Sequence, residues 1–165
     1  MIRKKQGIHT AIEGYFREAN ATDIMIVADK LREEDCNTIK WMTDLPNKEA
    51  MKITCNASLE SYTIVVDGRP VGMFGVAGKK DIGQPWLLMS DWMSEFPHLK
   101  REFLVECRRV ILGFKPKYKK LFNFVYRDHK DHIKWLEWLG FKVKDLYTEF
   151  GPYKKPFYYF EMENK

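Results

Sequence analysis

Cysteine is scarce in this 165-residue chain: Cys36, Cys55 and Cys107 are odd in number, widely spaced and free of any C-x-x-C pattern. That excludes a disulfide framework and removes the basis for a cysteine zinc site, so reduced thiols filling core space in a cytoplasmic setting are expected. Long apolar runs are also missing. The longest are pieces such as Tyr62 to Val66, well short of the roughly 18 to 20 residues needed to cross a bilayer as a helix, so no membrane span is expected. The first seven residues are basic but lead into no apolar signal core, which argues against secretion. Aromatic side chains are few in the first half, where only Tyr15, Phe16, Trp41, Tyr62 and Phe74 precede residue 86.

What is present is concentrated at the other end. Nineteen aromatic residues follow residue 85, and residues 100–155 hold fifteen Lys and Arg against seven Asp and Glu, in a chain of net charge +5. A hydrophobic share of 45% with 31% charged residues is that of a folded globular chain, and the length suits one domain over 1–165, with 1–12 as a loose lead-in. The tract Lys115 to Lys120 sets four lysines beside Tyr118, a mixture nucleic-acid binders use. A solvated loop explains it better, and no nucleic-acid partner is expected. The aromatic run Phe157 to Phe160 reads as a strand covered on both faces. A second copy of the chain, another protein, or the protein's own helices would each serve as the cover.

The apolar periodicity divides the chain into alternating elements. Ile12 to Glu18 reads as a strand, and Thr22 or Asp23 is positioned to cap a helix carrying Ile24, Val27, Ala28 and Leu31 at helical spacing. Two short helices follow, one through Ile39 and Met42 to about Thr43 and one over 48–59. The period then drops to two. Tyr62 to Val66 and Val71 to Val76 flank an Asp67-Gly68 turn and predict a tight hairpin. Gly75, Gly78, Gly83 and Pro85 read as a loop before a strand over 86–91. Leu99, Phe103, Cys107, Val110, Ile111 and Phe114 mark a long amphipathic helix, followed by a strand over 121–126, a helix over 129–139 capped by Gly140, and strands over 141–148 and 157–162. Strand, helix and strand across 86–126 imply a parallel crossover within a sheet otherwise joined by hairpins.

This order, with Phe16 to Ile24, Pro70 to Val76 and Leu136 to Phe141, resembles the GCN5-related N-acetyltransferase (GNAT) family over roughly 14–163. The runs Trp86 to Asp91, Lys100 to Phe103, Lys117 to Val125 and His132 to Phe141 are similar to GNAT-like proteins of tailed phages, the internal virion protein type. The resemblance implies a mixed α/β fold with a mostly antiparallel sheet, one parallel crossover and helices on both faces. It also implies acetyl-CoA as co-substrate, a small-molecule or protein amine as acceptor, and a viral source.

Residue by residue, the family pattern sets the thioester beside the strand end at Met89 and Ser90 and the pyrophosphate at a glycine-rich turn near 93–101. No glycine stands there, so Ser94, His98, Lys100 and Arg101 are the candidates to replace backbone donors with side chains. The pattern's Asn and Tyr at the start of the last helix and seven residues on fall at His129 and Leu136, and leucine cannot move a proton. Tyr126 is the nearest phenol in sequence, His129 brings an imidazole to the start of the last helix, and Asp91 or Glu95 could take a proton from the amine. The spacing of His129 and His132 suits a metal, but no acidic or cysteine partner completes a set, so no metal is expected. The same departures leave a second reading, a virion or host-interaction protein that keeps the fold and has lost the cofactor site.

Overall fold

The structure, a computed structural model, describes residues 2–4 and 14–164. Eight strands form one sheet in the order β1-β2-β3-β4-β5-β6-β8-β7. These are β1 (Ile2–Lys4), β2 (Gly14–Glu18), β3 (Ser58–Val66), β4 (Arg69–Lys79), β5 (Ile82–Met89), β6 (Lys120–Tyr126), β7 (Lys142–Phe150) and β8 (Lys155–Glu163). Pairing is antiparallel except between β5 and β6, the expected crossover, and between β1 and β2. Most of the lead-in over 1–12 lies outside the described residues, but Ile2–Lys4 pairs with Gly14–Phe16 rather than hanging loose.

Alternation along the strands separates two layers of helix. Met73 and Val76, three residues apart on β4, point to opposite faces. Met73 packs with Ile24, Val27 and Ala28 of α1 (Ala21–Asp29) and Met51 of α3 (Asn47–Asn56). Val76 joins Leu121, Val125 and Phe160 under Phe114 of α5 (Lys100–Phe114) and Leu136 and Leu139 of α6 (Lys130–Leu139). Between α1 and α3 runs α2 (Glu33–Thr43), and a short α4 (Trp92–Glu95) precedes α5. Among the described residues no helix is long and apolar enough to cross a membrane.

Two local expectations are corrected. The cap of α1 is Asn20, not Thr22 or Asp23: its side chain accepts from the Asp23 N–H at 3.0 Å while the Asp23 carboxylate accepts back from the Asn20 N–H at 3.0 Å. Asp23, 2% exposed, also accepts two hydrogen bonds from Arg17 at 2.7 and 2.9 Å and one from Thr63 at 2.7 Å, which ties helix to sheet. The second correction concerns Gly75, Gly78 and Gly83, which do not mark a loop. They lie in a hairpin that turns at Lys80 and Asp81, with Lys79 opposite Ile82. A Cβ at Gly75 would strike the Glu60 carbonyl of β3, and one at Gly83 would meet Val76, Leu121 and Tyr118. These glycines are close-approach points between strands. The strand expected over 86–91, which is β5, accordingly starts at Ile82 and ends at Met89, short of Asp91.

Candidate functional site

The parallel pair β5 and β6 stays together for only two residue pairs, Ile82 with Lys120 and Gly83 with Leu121. The cause is local. Pro85 has no N–H to give β6, and Asn123 turns its side chain across the gap, its amide donating to the Pro85 carbonyl at 2.9 Å. Farther along the same edge of β5, the Met89 N–H donates to Asp35 Oδ2 at 2.9 Å and its carbonyl accepts the Arg32 N–H at 2.9 Å. Leu87 lies between these two staples. Strand alternation turns its N–H and C=O to the same side, into the space that the ladder leaves open.

That space is a cavity of about 410 Å³ running through the sheet. On one side it is walled by Phe103, Cys107 and Val110 of α5 and by His132, Trp135 and Leu136 of α6. On the other, Ile39 and Met42 of α2 and Ala50 and Ile53 of α3 close it. Burial pushes the Cys107 thiol up to about 12, so it stays protonated and is no nucleophile. Burial, with the positive charge of Arg32 and then His129, pushes His132 down to about 4, which leaves a neutral imidazole in the wall. The ring of Trp135 meets His132 edge-on at 5.2 Å, and its Nε1–H is buried with no acceptor among the described residues.

Tyr126 and His129, two of the three catalytic candidates, both line this cavity. The Tyr126 ring lies 4.6 Å from Trp41, 5.2 Å from His129 and 5.7 Å from Phe157. Burial and then the charge of Asp128 raise its phenol above the ordinary value, so it remains a proton donor at neutral pH. His129 is the residue before α6, with Glu33, Glu34 and Asn37 around a second recess; Glu34 and His129 line both spaces. Asp91 does not join them. It is exposed ahead of α4, holds the Ser94 hydroxyl at 3.0 Å, and lies outside the cavity lining.

The cofactor candidates are also placed differently from expectation. Met89 and Ser90 have no free backbone groups of the kind a thioester needs: Met89 is stapled as described, and the Ser90 N–H and hydroxyl both donate to the Val71 carbonyl, at 2.8 and 3.0 Å. The turn over 93–101 is filled by α4 and a 3-10 turn, Pro97–Leu99, that runs directly into α5. The N–H groups of Phe96 and Leu99 donate to Trp92 and Phe96 carbonyls at 3.0 Å, and that of Lys100 to Pro97. Trp92, 1% exposed and edge-on to Phe103 at 5.2 Å, anchors the segment in the core. An open cradle of backbone donors is therefore absent among the described residues, and Ser94, His98, Lys100 and Arg101 are exposed around the start of α5.

Sequence reasoning missed Asn123, Leu87 and Trp135. Pro85 was the available signal, since a proline inside a strand marks an edge without a ladder partner.

The architecture is that of the GNAT acetyltransferases. Ard1 from Thermoplasma volcanium superposes with a TM-score of 0.65 at 14% identity over 92% of this chain and 98% of that one. The ribosomal-protein-S18-alanine N-acetyltransferase from Escherichia coli gives 0.65 at 12% identity, covering 92% and 94% of the two chains. The spermidine N-acetyltransferase from Vibrio cholerae, solved with CoA and spermine, gives 0.64 at 10%, covering 91% and 95%. No curated protein sequence matches the chain. Residues 61–148, from β3 through most of β7, match the family described as "Bacteriophage T7, probable scaffold protein Gp13", and the chain belongs to that family.

Proposed function

We propose that the chain is an acyl-CoA-dependent N-acyltransferase, taking the acyl group of acetyl-CoA or a related thioester to an amine, with the gap between β5 and β6 as the thioester site. The observation that carries this reading is the edge of β5, held open between staples at Pro85 and Met89 with Leu87 facing the cavity. A thioester oxygen lodged there would accept from the Leu87 N–H, a donor fixed before charge develops on that oxygen. The orphaned Trp135 N–H supplies a second donor to the pantetheine arm.

Tyr126 is the proton donor to the departing thiolate, and His129 takes the proton from the amine directly or through water. Glu33 and Glu34 beside His129 draw in a cationic acceptor, a small-molecule or protein amine. Lys100 and Arg101, both exposed, attract the phosphates from a distance without a backbone cradle. A phage-encoded source is part of the same reading.

Acetyl-CoA titrated into the protein should quench tryptophan fluorescence and raise the melting temperature by binding linkage. Tyr126→Phe and His129→Ala should then each lower kcat by about a hundredfold or more with binding retained. No response at millimolar acetyl-CoA by folded protein overturns the enzyme and leaves the second reading, a non-catalytic assembly or host-interaction protein. The filled 93–101 turn and the scaffold description of the family favour that alternative.

A further inference from the structure

The cavity wall formed by α2 and α3 looks polar in sequence and is apolar in the fold. Thr38, Thr43 and Thr54 all line it, and each spends its hydroxyl on the carbonyl four residues back, Glu34, Ile39 and Ala50, at 2.9, 2.6 and 2.8 Å. Their O–H donors are thereby used within the helices, and beyond the hydroxyl oxygen each adds a methyl group to the wall. Asp35 is equally committed, its two oxygens holding Arg32 at 3.0 and 3.1 Å and the Met89 N–H. Trp86, on the sheet beneath, donates its indole N–H to Ser58 at 2.9 Å. Between these spent polar groups stand Ile39, Met42, Ala50 and Ile53.

A pocket for a polar acceptor needs free acceptors or charges on its wall, because a desolvated amine or hydroxyl without partners is costly to hold. Apart from hydroxyl oxygens this wall has little to spare: Asp35 is held by Arg32, and Glu34, which lines both spaces, stands with Glu33 beside His129 at the second recess. The volume, about 410 Å³, is that of roughly a dozen waters. Hydrocarbon is the ligand chemistry such a wall favours.

We propose, resting on the acyltransferase reading, that this site selects a medium-length hydrocarbon acyl chain over acetyl, with the chain lying against α2 and α3 between Ile39, Met42, Ala50 and Ile53. The amine then enters separately, past Glu34 and His129.

The test titrates acetyl-CoA and octanoyl-CoA into the full chain and reads tryptophan fluorescence. Octanoyl carries six further methylenes, each worth a few-fold when buried, so even partial burial gives at least about tenfold tighter binding. Ala50→Leu, which fills the chamber, should bring octanoyl-CoA back to within about threefold of acetyl-CoA while acetyl-CoA binding holds. Ala50 is buried, so Ile53→Glu provides a second variant at a residue 57% exposed, where a charge set against the chain should erase the same preference without threatening the fold. Acetyl-CoA binding as tightly as octanoyl-CoA, or a preference untouched by both folded variants, overturns the proposal and leaves the acyltransferase standing. Absence of binding by either thioester removes both.

Discussion

Asp23 shows how much one side chain settles. Its carboxylate closes the cap of α1, holds Arg17 in two hydrogen bonds and accepts from Thr63 on the sheet. Burial alone would raise its pKa; the hydrogen bonds of Arg17 and Thr63, with that of the Asn20 backbone, outweigh it and bring the value below the ordinary 3.8. A carboxylate depressed on folding contributes stability that is present above the unfolded pKa and lost as pH falls through the folded one. The wild type's resistance to urea should therefore weaken below about pH 4, and Asp23→Asn should both flatten that loss and cost about 2 to 4 kcal/mol at pH 7 by leaving Arg17 and Thr63 underpaired. A variant as stable as wild type at pH 7 would deny the network its role. Trp135 should behave in the opposite sense. Its buried N–H lacks an acceptor among the described residues, so Trp135→Phe should stabilise the free protein by about 1 kcal/mol while weakening binding of an acyl-CoA thioester, a divergence visible in paired melting and titration experiments.

At the scale of elements, glycine is what the sequence made hardest to read. Gly68 sits at φ 73° after Asp67 at φ 52°, the left-handed pair that an Asp-Gly hairpin requires, and it was legible because alternating strands flank it. Gly75 and Gly83 carry the same letter for a different reason, the nearness of a neighbouring strand that only the assembled sheet supplies. The cap of α1 slipped for a similar cause: Asn20, Thr22 and Asp23 are all good capping residues, and the choice among them fell to Arg17 and Thr63, which hold Asp23 inward. Gly75→Ala should cost at least about 2 kcal/mol, since the Glu60 carbonyl it meets is backbone and cannot step aside. Gly113, in the last turn of α5, is the contrast. A methyl group there meets no described atom within 4 Å, so Gly113→Ala should stabilise by up to about 1 kcal/mol. Equal effects at the two positions in denaturant titrations would show that strand proximity is not what Gly75 serves.

For the whole molecule, the element order and the parallel crossover over 86–126 followed from periodicity, because each element carries its own apolar face; helices on both faces followed only from the family resemblance, and the seating of β8 between β6 and β7 from neither. The cavity did not. It arises where β5 and β6 part, and its edges are fixed by partners far apart in sequence, Asn123 on Pro85 and Asp35 on Met89. Tyr126 could be nominated because it ends a legible strand, whereas His129, Asp91, Met89 and Ser90 were nominated with the family pattern, and of these the chain uses Asp91, Met89 and Ser90 elsewhere. The same pattern places its firmest grip on the pyrophosphate at a turn that α4 and the 3-10 turn here occupy. On the acyltransferase reading proposed above, the thioester end would be open while the phosphate end is filled, and a ligand should be held mainly by its acyl and pantetheine portions. Exposed lysine and arginine contribute little each and are screened by salt. An acyl-pantetheine should therefore bind within about fivefold of the matching acyl-CoA at 0.15 M salt, as estimated from the weakness of such exposed pairs. Raising the salt to about 0.5 M should close that gap by screening, and so should Lys100→Ala combined with Arg101→Ala. A hundredfold preference for the full coenzyme that survives both treatments would mean that the start of α5 rebuilds a phosphate cradle when the ligand arrives.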